Sequence, residues 1–172
     1  TARNGATTYS VGANLATYVG SLFIDGTAGQ VTCHRAWGQS RKWGIWNMYN
    51  RQPLYLTAGD ATASWAYTTN TARASNNASA NSLTVLQGLA EEPYELRFVQ
   101  KITAEGEATG AAVDVSGSNR IGWNSTTAGS GQFGLVGILS DDLAADEIVY
   151  GNGLAAYLQV PALGINVVTA LE

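Results

Sequence analysis

One cysteine and one histidine stand in a chain of 172 residues. The lone Cys33 excludes an intrachain disulfide and every Cys-rich zinc pattern, and the lone His34 excludes motifs that need two histidines. In an extended strand these two neighbours point to opposite faces, so no thiolate–imidazolium pair is expected between them. Charge is scarce too. Asp, Glu, Lys and Arg make up 13% of the chain, about half the usual share, and the formal net charge is −4. Phosphate recognition needs a basic surface, so a general nucleic-acid binder is excluded. No apolar run approaches the roughly 18 residues of a membrane span, so no membrane insertion is expected. The opening TARNGATTYS has neither the basic nor the apolar part of a secretory signal.

What is present is apolar, aromatic and rich in turn formers. Apolar residues make up 45%, with five Trp, eight Tyr, three Phe and 20 Gly, and Thr, Ser and Asn dominate the rest. A chain this long buries roughly 70% of its unfolded surface and needs no disulfide or metal to fold. Short β-like runs recur between Gly, Asn, Asp and Ser. Residues 17–24 alternate, Asp25-Gly26 follows, and 31–36 completes an expected hairpin. Residues 54–56 and 64–69 read as strands, the latter with Trp65 and Tyr67 on one face. Residues 71–82, TARASNNASANS, read as a surface loop. Residues 83–89 read as a strand, and Tyr94, Leu96 and Phe98 alternate with Glu95 and Arg97 as a half-buried strand should. Further strands are expected at 113–115, 121–124, 133–139, 147–150, 154–160 and 165–169, with turns at 104–110 and 116–119. About ten short strands at this spacing predict an all-β fold, an antiparallel β-sandwich or jelly roll. A single domain is expected over residues 1–172, with 1–16 an extended N-terminal arm. Residues 141–148 fit a turn or two of helix. Residues 41–51 fit either period, and an extended reading is preferred.

The unusual segment is residues 33–51, CHRAWGQSRKWGIWNMYNR, which holds three of the five Trp. Rings beside cations can stack on sugars. They can equally be core rings with cations lying over them at the surface. A third reading is a subunit interface, where Trp, Tyr and Arg are enriched. Arg41, Trp43, Trp46, Tyr49 and Arg51 are therefore the candidate interface or ligand contacts. Acids cluster at Glu91-Glu92-Glu95, Glu105-Glu107 and Asp141-Asp142-Asp146-Glu147. Paired carboxylates could serve glycoside hydrolysis or bind Ca²⁺, but there is no DxDxDG loop, and charge runs in turns are usually solvated faces. No GxSxG elbow is present, and the Gly-rich run 129–134 lacks the Lys of a phosphate loop. Asn77-Ala-Ser79 and Asn124-Ser-Thr126 match the glycosylation pattern, as chance allows in a chain this rich in Asn, Ser and Thr. No catalytic residue, metal or cofactor is expected, and the chain reads as a contact module rather than an enzyme.

Several strings resemble one family. GQSRKWGIWNMYNRQPLYL (38–56), GDATASWAYTT (59–69), IGWNSTTAGSG (121–131) and PALGINVVTALE (161–172) look like a module of tailed-bacteriophage virion structural proteins. Their order is similar to the family's over most of residues 17–172. The resemblance implies a β-sandwich in a virion, with no catalytic residues to carry over. It implies a tail fibre or spike module for assembly or host attachment. The alternatives are a capsid decoration protein and a carbohydrate-binding module. It implies partners as well: further copies of the chain as a homotrimer, other virion proteins, and a host surface glycan. Similar modules tend to continue past TALE with another strand, so a short member or a piece of a longer chain is expected.

Overall fold

Strands form the long elements of the structure, a computed structural model that describes residues 17, 19–22, 42–51, 53, 55–89, 91, 93–105, 113–140, 148–160 and 162–172. In chain order these are β1 (Gly20–Leu22), β2 (Lys42–Trp43), β3 (Ile45–Asn47), β4 (Ser82–Gln87), β5 (Tyr94–Glu105), β6 (Val113–Trp123), β7 (Ser130–Ser140), β8 (Ile148–Gln159) and β9 (Gly164–Leu171). Two 3-10 turns, Ser75–Asn77 and Ser79–Asn81, precede β4. The all-β class is therefore what the chain adopts. The 1–16 arm, the 31–36 strand, Cys33, His34, Arg41 and all of the expected 141–148 helical turn except Ile148, which begins β8, lie outside the described residues.

Seven strands hydrogen-bond in the order β2-β4-β9-β6-β7-β8-β5, and β1 pairs with β3 as a separate ribbon. The pairs are antiparallel except β2 with β4. Within the described residues, β1 finds its partner in β3, with Ser21 opposite Trp46. The ladder between β7 and β8 has one pair, Gln132↔Ala156, whereas β5 and β8 pair along their whole length. At that thin seam the backbones meet closely. A Cβ on Gly134 would lie 2.6 Å from the Leu154 nitrogen and 2.7 Å from its carbonyl carbon. The β5–β8 ribbon thereby packs against β6. The Asn119 side-chain amide donates to the Gly153 carbonyl at 2.6 Å, and Gly117 leaves room for the Ile102 side chain.

Those contacts correct two sequence readings. Ser116-Gly117-Ser118-Asn119 has turn composition, yet β6 runs straight through it. Gly117 and Asn119 serve the approach of the ribbon instead of a reversal. The two strands expected at 147–150 and 154–160 merge into one, β8 (Ile148–Gln159), because Gly151-Asn152-Gly153 stays extended where the Gly153 carbonyl takes the Asn119 amide. Among the described residues, 55–56 and 64–69 join no ladder, although Trp65 and Tyr67 are half-buried on one side as the period-two reading has it. Apolar packing centres on Ile121, Ala155 and Val168 from β6, β8 and β9, with Leu83, Leu96, Phe98, Trp123 and Tyr157 around them. The Trp123 ring sits 6.0 Å from that of Tyr94 and 6.5 Å from that of Tyr157. Such ring pairs add about 1 kcal/mol beyond the area they bury.

Candidate functional site

Period two governs residues 45–47, where Ile45 and Asn47 face solvent and Trp46 faces in, only 7% exposed. Asn47 then turns the chain, its Oδ1 accepting the Tyr49 N–H at 2.9 Å. The turn leaves the Tyr49 ring 70% exposed. It also brings Arg51 back over Trp46, 5.2 Å from the ring centroid. There the Arg51 Nη2 donates to Met48 Sδ at 3.1 Å and lies 3.7 Å from a Glu91 carboxylate oxygen. Trp43 lies in β2 opposite Val85. Of the five candidate contacts, then, Trp46 and Arg51 are brought together and Tyr49 is turned outward. Removing the Trp46 ring is expected to cost about 3 kcal/mol, as for other buried aromatics. Tyr49→Ala should stay within about 0.5 kcal/mol of wild type in urea unfolding. Equal midpoints for the two variants would contradict this division of labour.

Sequence reasoning missed two polar clasps, the first built partly and the second wholly from the motif strings. The first surrounds the Glu172 carboxylate. One oxygen accepts the Arg73 Nε at 2.9 Å, the Arg73 Nη2 at 2.8 Å and the Asn76 backbone N–H at 3.2 Å. The other accepts the Trp65 indole N–H at 2.5 Å and the Gln100 amide at 3.4 Å. Backbone bonds between Arg73 and Glu172 run both ways, at 3.1 and 3.0 Å. The Arg73 guanidinium also lies 3.7 Å from the Tyr67 ring centroid. This explains a departure from the sequence reading of 71–82. It is a loop of small polar residues, but Ser75 and Asn81 within it are buried. Asn81 holds it from inside, donating to the Ser75 carbonyl at 2.7 Å and accepting the Asp60 N–H at 2.8 Å.

The second clasp joins IGWNSTTAGSG to PALGINVVTALE. Asn124 sits at φ 51°, a left-handed conformation that Asn tolerates better than most residues. Its backbone N–H donates to the Val167 carbonyl at 2.7 Å, and its Oδ1 accepts the Val167 N–H at 2.7 Å. Its amide reaches Asn166 Oδ1 at 3.2 Å, while the buried Asn166 amide donates to the Ala162 carbonyl at 2.7 Å. Ser125 Oγ accepts the Thr127 and Ala128 N–H groups at 3.2 and 2.9 Å. Asn124 of this glycosylation pattern is thus engaged in holding β9, while Ser125 closes the turn that follows it.

Electrostatics adds one titration. Asp60 is held below its ordinary value of 3.8, first by the Thr62 side chain, then by the Asn76 amide, against a small desolvation cost. A depressed carboxylate stabilises the fold above its unfolded-state pKa and loses that contribution as pH falls through the folded value. The stability difference between wild type and Asp60→Asn should therefore be complete above pH 3.8 and narrow below it. A difference unchanged at lower pH would show that the Asp60 charge is not what the loop uses. Elsewhere Glu95 is paired with Arg97 at 2.5 Å, both exposed. Among the described residues no group of three His, Cys, Asp or Glu could hold a metal ion, and no helix is long and apolar enough to cross a membrane.

Exposed apolar side chains are not scattered. Val99 of β5 and Tyr150, Leu154 and Leu158 of β8 all lie on the outer face of the β5–β8 ribbon, each more than half exposed. Val99 stands directly opposite Leu154. The Lys101 ammonium lies 4.2 Å from the Tyr150 ring centroid at the same surface. A stripe of this kind on one face fits a contact surface. No family model, no curated protein and no solved structure matches the chain.

Proposed function

We propose that the chain is a non-enzymatic structural module of a tailed-bacteriophage virion, a β-sandwich of a tail fibre or spike that works by contact with its own copies and with other virion proteins. The observation that carries the contact reading is the apolar stripe Val99, Tyr150, Leu154 and Leu158 on the outer face of the ribbon. Four large apolar side chains on one exposed face favour association over isolation in water. The order of the motif strings carries the virion reading.

Mass spectrometry of purified tailed particles from the culture that encodes the chain tests the proposal. Peptides of this chain should be present in the particles in multiple copies, in fixed ratio to the major head protein. They should follow the tails when heads and tails are separated; peptides that follow the heads would favour the decoration reading. Peptides found in the cells and absent from the particles would overturn the virion reading.

A further inference from the structure

Among the described residues strand β5 has a strand partner on one side. Its ladder runs to β8, from Tyr94↔Gln159 to Glu105↔Ile148, and β5 stands at the end of the seven-strand order. Twelve residues make a long edge. An edge presents a row of N–H and C=O groups that another strand can take up, and proteins commonly guard such edges with charge. Here the guards are Glu95, Arg97 and Lys101, all exposed and on one face of the strand. Because their signs are mixed, they oppose some registers and favour others.

Two copies related by a two-fold axis would pair β5 antiparallel with itself. Backbone groups that face the free edge belong to every second residue, and both members of a pair must face it, so the axis passes through a residue. An axis through Arg97 or Lys101 sets that cation against its own copy. Through Val99 it sets Arg97 against Lys101, twice. Through Gln100 it sets Glu95 against Glu105. Through Leu96 it pairs Glu95 with Arg97, but brings Pro93, which has no N–H, opposite Val99. Through Phe98 no like charges meet over residues 95–101, and Pro93 falls opposite Thr103, outside that joined segment. Glu95 then faces Lys101 of the partner subunit and Lys101 faces Glu95 of the partner subunit, with Arg97 opposite Val99 and Phe98 opposite its copy. Directly opposed side chains on one face sit about 5 Å apart at Cβ, within reach of a charge pair.

We propose that β5 is a self-pairing edge. Two copies join along residues 95–101 in the register centred on Phe98, and the strand order at the junction becomes β8-β5-β5-β8. The occupant is a second copy of this chain, selected by the two Glu95–Lys101 pairs. The contact also sets the two apolar stripes side by side, doubling the surface they present to a third component. A two-fold contact closes at two copies. It differs from the threefold association that the family resemblance implies, and combining the two would give a hexamer of three such pairs. The inference does not rest on the virion reading.

Sedimentation velocity of the full chain, from low to high micromolar concentration, tests it with three variants. Wild type should dimerise reversibly. Lys101→Glu and Glu95→Lys each set like charges against one another twice, and should weaken the dimer roughly tenfold or more at low salt. The double exchange, Glu95→Lys with Lys101→Glu, should restore it to within a few-fold. Both sites are exposed, so all variants should melt with wild type at concentrations where each is monomeric, and the differences in association should shrink in high salt. A wild type that stays monomeric overturns the inference. So does a dimer indifferent to the single changes, or one the double exchange fails to restore. Monomeric chain that is still found in particles would sink the edge pairing and leave the virion reading standing.

Discussion

Gly134→Val is expected to lower unfolding stability by about 3 kcal/mol or more, at the top of the range for overpacked sites. The reason lies in what the new side chain would meet. At most crowded positions a neighbour can swing aside, but at Gly134 the obstacle is the Leu154 main chain, with nitrogen and carbonyl carbon 2.6 and 2.7 Å from the Cβ position. Neither strand can yield alone. β7 is fixed by its ladder to β6, with Gly134 opposite Asn119, and β8 by its ladder to β5. Relief requires opening the seam where the ribbon meets the rest of the sheet. It would also draw the Gly153 carbonyl away from the buried Asn119 amide. Gly59→Val is the control, because nothing lies within 4 Å of a Cβ there. Urea unfolding should separate the two variants clearly. Equal midpoints would mean that β7 and β8 do not meet as described.

Glu172→Ala is expected to cost about 3 kcal/mol, the lower end for breaking a buried ion pair. The carboxylate is 9% exposed, and its loss strands the Arg73 guanidinium and the Trp65 indole N–H together. Arg73 retains 31% exposure and can recover some hydration, which moderates the loss. Glu172→Gln should cost roughly half as much, since it keeps an acceptor for Arg73 and turns a donor toward Trp65 and Gln100. The position of the effect is as informative as its size. Because the clasp ties residues 65–76 to the end of β9, the alanine variant should release that loop to proteolysis while β5–β8 stays protected. Loss of protection throughout would show the clasp to be part of the global fold instead of a local tie.

Much of the fold was legible because strand periodicity is local. Tyr94, Leu96 and Phe98 against Glu95 and Arg97 gave β5 its faces before any partner was known, and the structure keeps them. The errors arose where turn-forming residues do inter-strand work. Gly117, Asn119, Gly151 and Gly153 carry turn composition, yet they lie in strands because the β5–β8 ribbon meets β6 there, a fact set by non-local partners such as Ile102 for Gly117 and Gly153, 34 positions on, for Asn119. The clasps were hidden for the same reason. Glu172 and Arg73 are 99 positions apart, and nothing near either announces the other. The Trp-rich segment illustrates an intermediate case. Composition marked it as unusual but left core, ligand and interface readings open, and the structure places Trp46 inside and Ile45 outside. That Arg51 would fold back over the ring while Tyr49 turned outward depended on the Asn47 turn between them.

Hydrogen exchange of the full chain at low and high protein concentration tests the central claim, that this module works through the β5–β8 surface. Rising concentration should slow exchange across residues 95–101 of β5, where the second copy adds its strand. Amides of β8, already laddered on the inner side, should change little, and residues 45–51 should not change. Protection that rises at 45–51 and leaves β5 untouched would move the contact to the Trp46–Arg51 segment and contradict the account.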